Sequence, residues 1–272
     1  MIDGQNMVIS VVCYNNEVEV VTFAKAVAMQ SLKDNIFLIV TCNSVKDYDY
    51  LEGELNRIDL RTFLHKPGKN LGYLNGCLYG VSKTILPKTY WLTVCNTDLT
   101  FESESFFEDI TRGVEKDTWC IGPNIVLKTT EKKQNPFFKL RPSYKAMQMR
   151  RFVYSYFLTY KLYCKLSEIK EKTVETSREC NSQYVYSVHG SCFILKSDIV
   201  SLLTKEAKNI FMYGEELLVA EIIRENEKKV YFNSCTTVIH DENQVTRKIT
   251  TKTKQEWFVK STNYLCRRFF EI

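Results

Sequence analysis

No uninterrupted apolar run in this sequence is long enough to cross a bilayer, which takes about 20 residues. The opening residues Met1-Ile2-Asp3-Gly4-Gln5-Asn6 also lack the basic region followed by an apolar one that marks a secretory leader. The expectation is therefore a chain made and kept in the cytosol. Among ten cysteines there is no Cys-x-x-Cys pair, so the common zinc and dithiol spacings are missing. Cys13, Cys42, Cys95, Cys120, Cys192 and Cys235 sit inside strand-like runs, where a reduced thiol packs as a small apolar residue. No Gly-x-Gly-x-x-Gly follows the first strand-like run, which counts against a dinucleotide-dependent oxidoreductase.

Charge is unevenly spread. The net charge is +5, yet residues 132 to 178 hold twelve Lys or Arg against three Glu, so the remainder is slightly acidic. A local basic excess points to an anionic surface or partner more than a general one does.

The stretch Tyr90-Trp91-Leu92-Thr93-Val94-Cys95-Asn96-Thr97-Asp98 organises the rest of the reading. Its apolar and β-branched run reads as a buried strand, and it ends abruptly in Asn96-Thr97-Asp98. In open α/β sheets ligands bind beyond the carboxyl ends of the strands. A carboxylate there can hold a hard divalent cation, which can in turn hold a diphosphate. The plainer reading is a strand followed by an Asx turn.

Around that strand, Met7 to Tyr14, Ile36 to Thr41 and Arg61 to His65 read as further strands. Helical spacing recurs from Val18 to Gln30 and from Asp47 to Arg57, so βαβ units and a parallel sheet are expected. His65, ending a strand, reads as exposed or hydrogen-bonded. Gly72, Gly76 and Gly80 recur every fourth residue, a smooth helical stripe for close packing; the block has no P-loop lysine and hydroxyl pair. Phe106 to Val114 reads as a helix and Trp119 to Val126 as a strand broken by Gly122-Pro123. From Ser143 to Lys172 one long aromatic and basic helix is expected. Tyr186 to Leu195 returns to strand chemistry, with Gly190 marking a bulge or a close backbone approach. A helix with Glu215 and Glu216 in its first turn follows, then a strand from Val230 to Ile239 ending at His240, then a basic helical tail from Thr250.

Taken in order, these pieces resemble the family-2 glycosyltransferases of the GT-A fold, most closely the rhamnosyltransferase-like branch of bacterial surface-polysaccharide synthesis. The motifs run from about Val8 to Asp241: Ser10-Val11-Val12-Cys13-Tyr14-Asn15, Asn70-Leu71-Gly72-Tyr73-Leu74-Asn75-Gly76, Asn96-Thr97-Asp98, His189-Gly190-Ser191-Cys192, Tyr213-Gly214-Glu215-Glu216 and His240. The resemblance implies an α/β fold with a Rossmann-like, mostly parallel sheet, helices on both faces, a helical basic and aromatic insertion, and a C-terminal helical tail. It divides the chain into a nucleotide-sugar-binding half (1–127), the insertion (128–182), an acceptor-binding and catalytic-base half (183–245) and the tail (246–272).

The resemblance also implies an inverting transferase dependent on Mg²⁺ or Mn²⁺. Asp98, with His240, would hold the metal. Glu216, with Glu215 as the close alternative, would be the catalytic base. Tyr14, Asn15, Asn43, Asn70, Gly72, Asn75 and Asn96 would line the nucleotide pocket, and His189, Gly190 and Ser191 the acceptor side. The implied partners are a UDP-, dTDP- or GDP-linked sugar and a glycan or lipid-linked acceptor, with no nucleic acid. Two residues depart from the family pattern. Asn96 stands where a full D-x-D begins, and Thr41-Cys42-Asn43-Ser44 lacks the Asp that usually contacts the base. A catalytically inactive partner of a glycosyltransferase complex is the alternative; retention of Asp98 and the Glu pair argues against it.

The segment from Phe137 to Lys172 interleaves aromatic rings with Lys and Arg, a composition suited to the headgroup boundary of an anionic membrane, peripheral at its inner face. The competing reading packs these rings onto the catalytic domain or pairs two subunits as a homodimer.

Overall fold

The computed structural model describes residues 6–173, 181–241 and 249–271, with the backbone alone over 168–173. Its first half follows the expected alternation. Strand β1 (Met7–Tyr14) leads into helix α1 (Glu17–Ala28), β2 (Ile36–Ser44), α2 (Tyr48–Asn56) and β3 (Arg61–His65). Helix α3 (Tyr73–Lys83) and strand β4 (Trp91–Cys95) follow. The strands β3, β2, β1 and β4 are neighbours in that order and all parallel.

The remaining strands are β5 (Leu99–Phe101), β6 (Thr118–Leu127), β7 (Gln183–Val185), β8 (Cys192–Lys196) and β9 (Lys229–His240). They extend one nine-stranded sheet in the order β3-β2-β1-β4-β8-β6-β9-β5, with β7 beside β9. Strands β5, β7 and β8 run against the others, so the sheet is mostly parallel.

Alternation along β1 shows why its apolar run is continuous. Val8 joins the core on one face, under α3, α7 (Val200–Ala207) and α8 (Glu215–Glu225). Met7, Ile9 and Val11 join the core on the other, under α1, α2 and α4 (Phe106–Thr111). A strand covered on both faces has no solvent side to be polar. Of the expected stripe only Gly76 and Gly80 lie on α3, where a Cβ would stand 2.7 Å from Val12 Cγ2 and 2.5 Å from Thr41 Oγ1 respectively; Gly72 precedes the helix. His65 is hydrogen-bonded, its Nε2 lying 2.8 Å from Thr84 Oγ1.

Four local expectations change. Gly122-Pro123 does not break β6; the strand runs through it, and the register against β9 shifts at Pro123/Asn124. On β9 that shift leaves residues 234–236 out of register, so Cys235 is exposed, whereas Cys13, Cys42, Cys95, Cys120 and Cys192 are buried free thiols. Residues 186–191 are not strand: only from Cys192 onward does the chain pair with β4.

The long basic helix is two, α5 (Tyr144–Ser155) and α6 (Phe157–Thr173), separated by Tyr156 in extended conformation. In a straight helix residues six apart face different sides. The break lets the rings of Tyr154 and Tyr160 meet at 5.8 Å, both packed on Phe258 of α9 (Thr251–Leu265). Among the described residues no helix is long and apolar enough to cross a membrane.

Candidate active site

The chain leaves β1 toward β2 on one side and returns to β4 on the other, so helices diverge between the carboxyl ends of β1 and β4. A crevice must open at such a switch point. A cavity of about 550 Å³ lies there, walled by Tyr14 at the end of β1, Asn43 on β2 and Asn96 to Asp98 after β4.

The loop before α3 closes one side. Asn70 Oδ1 accepts from Gly72 N at 2.9 Å, an Asx turn, while Asn43 donates to Gly72 O at 2.8 Å and accepts from Leu71 N at 3.2 Å. Gly72 has φ 81°, and a Cβ there would fall 1.9 Å from Phe211 O, so only glycine fits.

The register of two distant strands brings His240 to Asp98. Leu99 of β5 pairs with His240 of β9, and Asp241 N donates to Asp98 O at 3.0 Å. His240 Nδ1 lies 2.7 Å from Gln134 Oε1, an acceptor, so Nδ1 carries a proton, and Nε2 is the nitrogen turned toward Asp98 and, at 3.4 Å, Asn96 Nδ2. Nε2 stands 3.2 Å from Asp98 Oδ1, a buried oxygen with no hydrogen-bond partner. A shared positive charge, whether a proton on Nε2 or a divalent cation beside both atoms, would join the two. Their separation is close to the roughly 3.0 Å between adjacent corners of an octahedron of about 2.1 Å bonds, as around a small divalent ion. Among the described residues no group of three or more His, Cys, Asp or Glu is placed to hold a metal, so Asp98 and His240 could supply only part of a shell.

Strand β8 is antiparallel to β4, with Cys192 opposite Cys95, so the residues before β8 arrive at the carboxyl end of β4. His189, Gly190 and Ser191 thereby enter the cavity wall. Ser191 N donates to His189 Nδ1 at 3.2 Å; burial, reinforced by the nearby His240 ring, pushes the His189 pKa down to about 4. The ring is neutral at pH 7.

Helix α8 delivers the two glutamates. Tyr213 (φ 65°) and Gly214 (φ 92°) turn the chain sharply into it. A tyrosine in the left-handed region costs of order 1–3 kcal/mol and persists only where its surroundings hold it. Here its ring stacks on Phe258 at 4.1 Å. Glu216 Oε1 accepts from Gly190 N at 3.2 Å. Glu215 beside it is almost fully buried, and that burial, with the neighbouring Glu216 charge, lifts its pKa to about 8. Burial also raises that of Glu216.

No protein-family model matches the chain, and no curated protein matches it. Solved structures do. GalNAc-T7 with UDP, GalNAc and Mn²⁺ superposes with a TM-score of 0.62 at 12% identity, over 95% of this chain and 48% of that one. Mannosyltransferase PcManGT from Pyrobaculum calidifontis, in complex with GDP-Man and Mn²⁺, gives 0.57 at 9%, over 89% and 58%. TarS 1-349 of S. aureus gives 0.55 at 10%, over 97% and 72%. The fold is GT-A. The chain thus spans about half the length of the first of these GT-A structures.

Within this GT-A chain some expected site residues stand behind the cavity wall. Asn75 donates to Ala207 O and Ile210 O, at 2.8 and 2.9 Å, and so ties α3 to the end of α7. Asn15 (φ 57°) binds Ser44 through backbone and side chain, locking the ends of β1 and β2 together. His240 backs Asp98 and does not line the cavity.

Other lining residues escaped sequence reasoning. Glu19 faces the cavity, bound to Asn16 at 2.7 Å and to Thr97. Burial raises its pKa, and the charges of Asp98 and Asp241 add to that effect. Its position in the first turn of the helix after the first strand is the only sequence signal it carries. Trp257, Thr250 and Thr253 of the C-terminal helix form another wall, with Trp257 packed on Phe211 at 5.2 Å. Nothing local in the tail announces this.

Proposed function

We propose that this chain is an inverting glycosyltransferase that moves a sugar from a nucleoside-diphosphate donor to a hydroxyl of a glycan or lipid-linked glycan. The observation that carries the reading is the convergence in one GT-A cavity of the Asp98 carboxylate, from the end of β4, and the Glu216 carboxylate, from the start of α8. The Mn²⁺ and nucleotides present in the neighbouring structures support a divalent cation and a nucleotide-sugar donor here. Such a cation, Mg²⁺ or Mn²⁺ held by Asp98 with His240, would neutralise charge on the departing diphosphate.

The chain's own groups do the rest. Tyr14, Asn43, Asn70, Gly72 and Asn96 border the space for the nucleotide, and His189 to Ser191 that for the acceptor. Glu216 takes the acceptor proton as the acceptor oxygen bonds to the anomeric carbon. The carbon–oxygen bond to the diphosphate breaks on the opposite side, and the diphosphate leaves with the electron pair. Burial makes Glu216 a stronger base than a solvated carboxylate. Glu215, lifted to about 8 by burial and the Glu216 charge, favours its protonated form at pH 7 and so spares the pair a second charge.

The motif resemblance assigns the enzyme to the rhamnosyltransferase-like branch of bacterial surface-polysaccharide synthesis, working in the cytoplasm on a UDP-, dTDP- or GDP-linked sugar. A panel of these donors with Mn²⁺ tests the reading. One donor should raise the melting temperature and be turned over with inversion seen by NMR at the anomeric centre. Stabilisation by none, and turnover of none, would leave the inactive-partner alternative.

A further inference from the structure

Helices α5 and α6 carry the densest exposed apolar surface outside the cavity. On α6 the inward side is Tyr160, buried against Phe258. Leu158, Leu162 and Leu166 recur every fourth residue and so share the opposite face. Leu158 is 78% exposed, Leu162 and Leu166 57% each. Phe152 and Tyr156, at the junction of the two helices, are also exposed, and their rings touch only edge to face at 5.4 Å. Among the described residues these leucines leave most of their surface uncovered, a face open to a partner.

Charge selects the partner. Lys161 and Lys165 flank the leucine stripe, exposed and without an ion pair among the described residues. From residue 132 to the end of α6 at 173 the chain has eleven Lys or Arg against Glu168 and Glu171. A second copy docked two-fold on this face would bring Lys161 and Lys165 against their own counterparts, since such an interface joins a patch to itself. A negatively charged lipid surface satisfies both features, taking the leucines at the acyl boundary and the lysines at the headgroups.

We propose that α6, with the α5–α6 junction, docks the protein on an anionic bilayer surface through Leu158, Leu162 and Leu166 and the lysines beside them. Arg150 and Arg151, which stand out in sequence, do not serve this contact. Arg150 lies over the Phe138 ring at 4.7 Å, and Arg151 pairs with Glu271 at 2.6 Å. The docked helix sits close to the cavity: Tyr154 and Tyr160 rest on Phe258, and Phe258 stacks on Tyr213, a wall residue. A lipid-borne substrate would meet the protein one helix away from that wall.

The test is sedimentation of the full chain with vesicles of phosphatidylglycerol and phosphatidylcholine, against phosphatidylcholine alone. Binding should require phosphatidylglycerol and fall as salt is raised. It should weaken at least about tenfold in Leu158→Gln/Leu162→Gln/Leu166→Gln and in Lys161→Glu/Lys165→Glu. Circular dichroism and melting temperature should match the parent, because these side chains are exposed. A parent protein that stays in the supernatant at low salt overturns the proposal, as does a leucine variant that binds like the parent. So does a dimer in ultracentrifugation that the leucine variant dissociates while vesicles bind nothing, for a second copy would then own the face. The readout is independent of any transferase activity.

Discussion

The backbone N–H of Gly190 donates to the Glu216 carboxylate at 3.2 Å, and a Cβ on residue 190 would stand 2.8 Å from the same oxygen. Gly190→Ala must therefore push the carboxylate aside. With Glu216 as base, displacement of about 1 Å should lower turnover by about 10²-fold. Steady-state kinetics with a thermal melt decide this: kcat should fall with little change in Tm, and unaltered kcat would disconnect Glu216 from the reaction.

Glu216→Gln keeps the shape and the acceptor oxygen for Gly190 but cannot take a proton. Turnover should drop roughly 10²–10⁴-fold with donor affinity nearly unchanged. Should Glu215→Gln show this loss in its place, the two glutamates exchange roles.

Asp98→Asn removes the charge that faces His240 Nε2 and retains the volume. Transfer should be abolished, and the rise in melting temperature on adding Mn²⁺, which follows from binding to the native state alone, should disappear. Asp98→Ala should do the same with a normal circular dichroism spectrum. Persistence of the Mn²⁺ shift in both variants would place the metal elsewhere.

Glu215 couples stability to pH. Its folded pKa, about 8, lies above the unfolded carboxylate value of 4.5, so the native state binds the extra proton between them. Its contribution is fully present below pH 4.5 and is lost as pH rises through 8. Glu215→Gln should therefore gain stability relative to the parent on the alkaline side. Denaturant titrations at pH 6 and pH 9 check the sign: a variant advantage that shrinks toward pH 9 contradicts it.

Glu221, 0% exposed on α8, receives Arg141 through two nitrogens (2.6 and 3.2 Å), Arg224 at 2.8 Å and the Tyr186 hydroxyl at 2.5 Å. It thereby fastens α8 to the chain before α5. Glu221→Ala should cost about 3 kcal/mol in urea unfolding, because Tyr186 and Arg141 lose a buried acceptor. Arg141 is partly exposed and can turn to water, which holds the loss to the lower end of the range for broken buried pairs. A change below about 0.5 kcal/mol, the size of an ordinary surface substitution, would show the network to be energetically idle.

By itself the sequence determined the layers of this protein and the end of the sheet where chemistry belongs. Runs such as Ile36–Val40 are apolar at every step, and Trp91–Cys95 nearly so, which is stable only for strands covered on both faces, and helices between them force parallel pairing. Asn96 to Asp98 were legible because strand ends are dictated by neighbours in the chain, whereas Gly72, read as part of a helical stripe, is the positive-φ residue before α3. Tertiary structure alone decided which side chains meet. The β5–β9 register carries His240 to Asp98 across more than half the chain, and antiparallel β8 carries Gly190 to Glu216. Asn75 and Trp257 exchange their apparent importance for the same reason. A side chain's direction on a helix is settled by what packs on that helix: for α3 that includes α7, and for α9 it is α5 and α6, which take Phe258 and leave Trp257 to the cavity wall. Tyr156 interrupts a helical pattern because burying Tyr154 and Tyr160 on one phenylalanine outweighs continuing the turn.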